Sequence, residues 1–215
     1  SLLNDLIKSD FSIDDKIIER CSELEFTIAN TKFVWSSIGV CEKPGQNGAE
    51  VNKMKHNAIL HIILDQLQEK GIEYLYHHFR NNFIFLLSSK EMTGSGIRKI
   101  LELVSNAARQ YFDLPLKIIY TDPFDEPKEM PEKYKGFVEK MGILFYSEPQ
   151  DGFINNVKEI NFKDVNVFAL KKQYSPAFIE SIGQGDFITL KEINGEIGTY
   201  FRGNKINPMT VKIFY

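Results

Sequence analysis

Cysteine is almost absent from these 215 residues: Cys21 and Cys41 stand far apart and outside any C-x-x-C spacing. Two such residues build neither a disulfide framework nor a thiolate zinc knuckle, and reduced thiols of this kind suit a cytoplasmic protein. An excess of charge of either sign is missing too. Lysine and arginine number 26 against 29 aspartates and glutamates, a formal net charge of -3, so there is no basic field to hold a phosphate backbone. Direct nucleic-acid binding by this chain is therefore not expected. Long apolar runs are lacking: the stretch from Phe83 to Leu87 is far short of a membrane span, and the amino terminus lacks the basic-then-apolar layout of a signal peptide. The expectation is a cytoplasmic protein without a membrane partner. Internal repeats and low-complexity tracts are missing as well.

What the chain does have is apolar and aromatic material for a core, with 43% hydrophobic residues, 17 Phe and 9 Tyr. Residues 2–8 and 13–24 read as short helices, the second opening at Ser12 with Asp15 three residues on, in the manner of a capping box. From Lys32 to Glu42, the residues Phe33, Val34, Trp35, Ile38 and Val40 make a first strand, broken by Pro44, Gly45 and Gly48. Residues 50–69 follow as a helix closed by Gly71, with Val51, Met54, Ala58 and Ile62 on one line and Ile59, Ile63 and Leu67 on the next.

Ile72 to His78 and Asn82 to Ser88 are strand-like runs a few polar residues apart, which predicts a β-hairpin. A helix over residues 97–112 turns Ile97, Ile100, Leu101, Val104, Ala108, Tyr111 and Phe112 inward, and Leu114 to Thr121 is a fourth strand. The order β-α-β-β-α-β predicts an α+β, ferredoxin-like domain, an antiparallel sheet with helices on one face. A third helix from Pro131 to Phe145 and a short edge strand near Val157 to Phe162 complete it.

Beyond Lys163 the pattern is helical. Ser175-Pro176 reads as a cap and first-turn proline, Gly183 to Asp186 as a break, and Asn207-Pro208 as the start of a last helix. The expected organisation is a helical amino-terminal arm (1–30), the ferredoxin-like domain (31–163) and a helical carboxy-terminal subdomain (164–215). Leu2, Leu3, Leu6 and Ile7 at one end, and Val211, Ile213 and Phe214 at the other, look like residues in need of a partner surface, from a neighbouring domain or a second copy. Both ends read as cut from a longer protein.

Three stretches carry a family resemblance. The run LPLKIIYTDPFDEPKEMPEKYKGFVEKMGILFYSEPQ, with its Pro-x-x-Tyr element at Pro131 to Tyr134, resembles a segment of AraC-type bacterial response regulators. FIESIGQGDFITLKEINGEIGTYFRGNKINP is similar to the helical pair that joins the central domain of such regulators to their helix-turn-helix pair. LLNDLIKSDFSIDDKIIERCSELEF is similar to the arm that enters the central domain from an upstream receiver or sensor. The resemblance implies a signal-relay and dimerisation module of an AraC-type, two-component transcription regulator. Its partners would be a second copy, the upstream receiver or sensor, and the downstream DNA-reading helices.

That central domain is related to GGDEF diguanylate cyclases, and the cyclase signature falls on Phe79, Arg80, Asn81, Asn82 and Phe83, where only Phe83 is kept. Paired glycines would let the turn approach a nucleotide, whereas Phe79 and Arg80 fill that space. Magnesium-assisted phosphoryl transfer needs anionic oxygen ligands, and Asn81 and Asn82 offer neutral amides. Glu42 stands where another metal carboxylate would be, but one acid without partners reads as a surface residue. The chain is therefore expected to be no enzyme and to hold no cofactor or catalytic metal, its hairpin being a degenerate GGDEF position. The alternative is a sensor that binds a nucleotide or small metabolite in the decayed cyclase cleft without turning it over.

Other constellations have plainer explanations. Thr93-Gly94-Ser95-Gly96 before a helix lacks the third glycine and Lys-Ser/Thr ending of a phosphate loop, and a Thr or Ser cap accounts for it. His56 and His61 are five apart on a helix, while His77 and His78 should point to opposite sheet faces, so neither pair is a ready chelate. Nothing local would activate Cys21 or Cys41 as a nucleophile.

Overall fold

A computed structural model describes residues 2–8, 14–41, 49–79, 82–146 and 152–214. The chain falls into two compact units, one made of residues 1–141 and 148–159, the other of 142–147 and 160–215. Among the described residues no helix is long and apolar enough to cross a membrane.

The first unit is a five-stranded sheet. Its strands are β1 (Lys32–Val40), β2 (Glu73–Phe79), β3 (Asn82–Ser89), β4 (Leu116–Tyr120) and β5 (Phe153–Asn156), in the spatial order β2-β3-β1-β4-β5. The first four pair antiparallel, with Ser37 of β1 opposite both Ile84 of β3 and Ile119 of β4. With the helices α3 (Ala49–Glu69) and α4 (Gly94–Phe112) as crossovers, this is the expected α+β fold in the ferredoxin-like β-α-β-β-α-β order.

Because side chains alternate along a strand, β1 sends Val34, Ile38 and Val40 to one face and Phe33 and Trp35 to the other. On the first face they meet Phe83, Phe85, Leu87, Ile118 and Tyr120 beneath Ile59, Ile63 and Leu67 of α3 and Ile97, Leu101, Val104 and Ala108 of α4. Two residues expected on these inward faces are exposed instead, Met54 and Tyr111. The buried stripe of α3 is the single Ile59-Ile63-Leu67 line, flanked by half-buried Leu60 and Leu64.

The second face is covered as well, which corrects the expectation of helices on one side only. Here lie α1 (Leu2–Leu6), α2 (Asp15–Glu23) and α5 (Met130–Lys140). Trp35 is fully buried, its ring 4.8 Å from that of Tyr134, and its Nε1 donates to the Met130 carbonyl at 3.2 Å. Phe33 packs between Phe26 and Phe124. Leu2, Leu3 and Leu6 are buried within this unit, so the arm closes the sheet's second face rather than awaiting a partner. Ser12 lies outside the described residues. Asp14 caps α2, its carboxylate accepting from the Ile17 amide at 2.9 Å.

The edge strand lies earlier than expected. Phe153–Asn156 pairs parallel with β4, and Val157–Glu159 is a 3-10 turn. Polar contacts fix this edge: Asn156 donates to Asp122 at 2.7 Å and accepts from the Lys158 amide at 2.9 Å. α5 ends at Lys140, and Met141–Phe145 continues as a 3-10 turn.

The second unit is built on α6 (Val167–Gln184), α7 (Phe187–Asn204) and α8 (Pro208–Phe214), around Leu170, Ile193, Ile197, Phe201, Ile206 and Val211. Phe214 packs on this cluster and Val211 is buried in it, so these two carboxy-terminal residues find partners within the chain. Ser175-Pro176 does not start a helix: α6 begins nine residues earlier and runs through Pro176, capped by Asn166, which accepts from the Ala169 amide at 3.1 Å. The break after it is as expected. Gly185 takes a left-handed φ of 68°, and Asp186 caps α7 by accepting from the Ile188 and Thr189 amides, both at 3.1 Å.

Candidate functional site

The β2–β3 hairpin is the place the sequence singles out. Phe79 is the last residue of β2 and Asn82 the first of β3, and the two are paired; Arg80 and Asn81 lie outside the described residues. Asn82 also pairs with Gly39 of β1, and a Cβ on Gly39 would come within 2.3 Å of the Asn82 Oδ1. The carboxamide therefore lies across the glycine, and any side chain at position 39 would evict it. Phe79 remains half exposed beside this crossing.

On the other face of the hairpin three rings meet. His78 stacks on buried Phe83 at 5.0 Å, and His56 of α3 stands edge-on to His78 at 6.1 Å and 6.2 Å from Phe83. The structure thus joins His56 to His78, two histidines the sequence had placed in separate pairs. His61 is exposed on α3 and takes no part. His77 points to the opposite face, as expected, and burial, aided by the neighbouring His78, pushes its imidazole below the ordinary value. Among the described residues no group of three His, Cys, Asp or Glu side chains stands ready for a metal ion. Glu42, the other candidate ligand, lies outside them.

Phe79, Asn82 and Phe83 thus present a ring, an amide committed to the crossing over Gly39, and a buried ring. No anionic oxygen comes from any of the three.

The opposite end of the sheet holds a groove of about 550 Å3, lined among others by Thr27, Thr31, Lys70, Lys90, Thr93 and Ile97. Its polar wall is internally bonded. Glu73 accepts from the Thr27 amide at 2.5 Å and from the Thr27 hydroxyl at 3.0 Å, while Thr31 and Ser88 both donate to the Thr27 carbonyl, at 3.1 and 2.9 Å. Thr93-Gly94-Ser95-Gly96 opens α4 at the rim, with the Thr93 hydroxyl taking the Gly96 amide at 3.0 Å as a helix cap. This groove was not foreseen, because three chain-distant segments (27–31, 70–73 and 89–100) assemble it, and the one that carries a recognisable pattern, Thr93-Gly94-Ser95-Gly96, reads as a helix cap.

Cys21 and Cys41 are both buried, and neither is in a disulfide. Burial pushes the Cys21 thiol up, away from the thiolate form a nucleophile needs. No model of a known protein family matches this sequence, and no curated protein matches it.

Proposed function

We propose that this chain is a non-catalytic signal-relay and self-association module of an AraC-type bacterial transcription regulator, working in the cytoplasm. It would take a conformational input from an upstream receiver or sensor and hand it to downstream DNA-reading helices without touching DNA itself. The observation that carries the reading is the hairpin: where a cyclase of the resembling fold would need open glycine backbone and carboxylates, Asn82 lies across Gly39 and Phe79 flanks it. Transfer of a phosphoryl group relies on metal-held negative charge and a precisely shaped anion site, and the residues of this turn supply neither. Three stretches of sequence similarity to such regulators agree with it.

The purified chain, incubated with GTP and magnesium, should form no cyclic dinucleotide. Product formed at a rate that scales with protein concentration would overturn the reading.

The 550 Å3 groove favours a second reading, in which a small molecule binds at the Thr27–Ile97 end of the sheet rather than at the hairpin. Thermal-shift measurements with nucleotides and phosphorylated metabolites test it, since a ligand of the native state raises the unfolding midpoint by mass action. Saturable stabilisation that is lost in Thr31→Val would support this reading against the first.

A further inference from the structure

The two edges of the sheet are built differently. At one end β5 is only 4 residues long, ends in two asparagines and runs directly into a 3-10 turn, fixed by the Asn156 contacts to Asp122 and to the Lys158 amide. Short, polar, irregular edges of this kind are how natural sheets avoid further pairing. At the other end β2 is 7 residues of Glu-Tyr-Leu-Tyr-His-His-Phe, paired with β3 without a bulge and free of proline and lysine. Its sole carboxylate, Glu73, is taken by the amide and hydroxyl of Thr27. Of the edge protections that a strand's own sequence can supply, β2 has none.

The ladder fixes which groups of β2 face outward. The Thr121 amide donates to the Trp35 carbonyl and the Cys41 amide to the Pro115 carbonyl, so the odd-numbered residues of β1 bond toward β4 and the even-numbered ones toward β3. Carried through the registers, Val34, Ser36 and Ile38 bond to Leu87, Phe85 and Phe83. Leu86, Ile84 and Asn82 of β3 then bond to Leu75, His77 and Phe79 of β2. Tyr74, Tyr76 and His78 are left with N–H and C=O aimed at the edge, and among the described residues no other element takes them. Their rings form one row on the α3 side of the sheet. Tyr74 and Tyr76 lie 6.4 Å and 5.5 Å from Phe85, and His78 lies 5.0 Å from Phe83. Tyr76 is 42% exposed, and His78 is exposed beside it.

We propose that β2 pairs antiparallel with β2 of a second copy about a two-fold axis at Tyr76, joining the two sheets into a single continuous one. A row of outward donors and acceptors is matched only by another extended strand, and the register makes that strand β2 itself. Centred on Tyr76, the pairing sets Tyr74, Tyr76 and His78 against His78, Tyr76 and Tyr74 of the second copy as hydrogen-bonded pairs, so every outward group is used. It lays ring beside ring along the row, as in the cross-strand aromatic pairs that stabilise antiparallel sheets. It brings no like charges together, because Glu73 falls opposite Phe79 of the second copy. This names the face for the self-association half of the reading above and rests on that reading for its biological sense. The contact differs from that expected of the chain ends, since Leu2, Leu3, Leu6 and Val211 are already buried within the chain.

Sedimentation equilibrium of the full 215-residue chain should show a reversible dimer. Amide hydrogen exchange identifies the face. As the chain dimerises, the amides of Tyr74, Tyr76 and His78 should gain protection, while those of Leu75 and His77, already bonded to β3, should change far less. Tyr76→Lys sets two ammonium groups opposite each other on the axis and should raise the dimer dissociation constant about ten-fold. The lysine stem can still lie on Phe85, so the far-ultraviolet circular dichroism should be unchanged. Tyr76→Cys should give a covalent dimer on mild oxidation, because facing residues of a hydrogen-bonded antiparallel pair stand about 5.5 Å apart at Cα, within disulfide reach. Tyr111→Cys, exposed on α4, should not. A chain that stays monomeric at every concentration overturns the proposal. So does a dimer in which the Tyr74, Tyr76 and His78 amides still exchange fast, a result that leaves the relay reading standing on another face. Protection of these amides in a chain that remains monomeric would mean that another segment of the chain covers the edge, and overturns it as well. If Tyr76→Lys does not fold, the exchange of the wild-type chain decides alone. GTP turnover by a chain that dimerises through β2 ends the relay reading and leaves the pairing intact.

Discussion

The sheet unit and the helical unit treat their large apolar side chains differently. In the first, both faces of the sheet are roofed, and Trp35, Phe33, Phe85, Leu86 and Phe137 are all but fully buried. In the second, three helices enclose one small cluster on one side of α6 and leave Phe168, Ile179 and Ile182 outside. The difference follows from geometry. A sheet offers two flat faces that separate elements can cover, whereas a short helical bundle has too little surface to wrap every side of its members. The sheet unit is not sealed, since Met54 and Tyr111 stay exposed on its helices, but its bulkiest rings are enclosed, whereas the helical unit leaves Phe168 and Phe187 almost fully in water.

The contrast can be pressed hardest at Trp35. Trp35→Ala removes a fully buried ring and strands the Met130 carbonyl it serves, at a cost of about 3–5 kcal/mol, read as a fall in the urea midpoint. A loss below about 1 kcal/mol would show that the second face of the sheet is loosely covered, and the contrast between units would fade.

Asn166→Ala probes the helical unit where it depends on a local cap rather than on a core. The lost acceptor for the Ala169 amide should cost about 1 kcal/mol. Amide exchange should speed up in the first turn of α6 while the sheet amides keep their protection.

The smallest effect concerns the arm that roofs the sheet. Hydrogen bonds from Lys8 first, and then from Arg20, hold the Asp5 carboxyl at about 2, below its ordinary 3.8. A depressed carboxylate contributes stability that is fully present above its unfolded value and is lost as pH falls through its folded one. The thermal midpoints of wild type and Asp5→Asn should therefore differ at neutral pH and converge as pH drops from about 4 toward 2. A constant gap across that window would mean that Asp5 acts through something other than its charge.

Much of the sheet unit was legible in the sequence, because its signals are local and repeated. The β-branched and aromatic content of Phe33 to Val40, the strand-like run around Phe83 to Leu87, the 3.6-residue spacing in Ile97 to Ala108, and the turn at Gly71 led to the element order, and the order to the topology. Caps written in adjacent residues were equally readable, as at Gly185-Asp186 and Thr93. The edge strand β5 was expected a few residues too late, near Val157 to Phe162, because Asn155 and Asn156 lack strand character, and what holds them is pairing with β4 and the Asp122 contact, contributed from over thirty residues away.

At the hairpin the residue types were legible from the chain alone, including the missing carboxylates at Asn81 and Asn82. Their placement was not. That Asn82 fills the space over Gly39, and that His56 reaches His78, depends on strands and a helix far apart in sequence arriving at one end of the sheet. Pro176 teaches the same lesson from the other side. Locally a proline argues for a helix start, since it lacks the N–H that would bond back into the preceding turn. Yet α6 runs through it, because Leu170, Tyr174 and Phe178 on either side are packed on the cluster of Ile193, Ile197 and Phe201, and that burial outweighs one absent hydrogen bond. Periodicity and capping are written within a few residues and so belong to the sequence. Which faces end up covered, and which stay exposed, is decided by contacts between distant segments and so belongs to the tertiary structure.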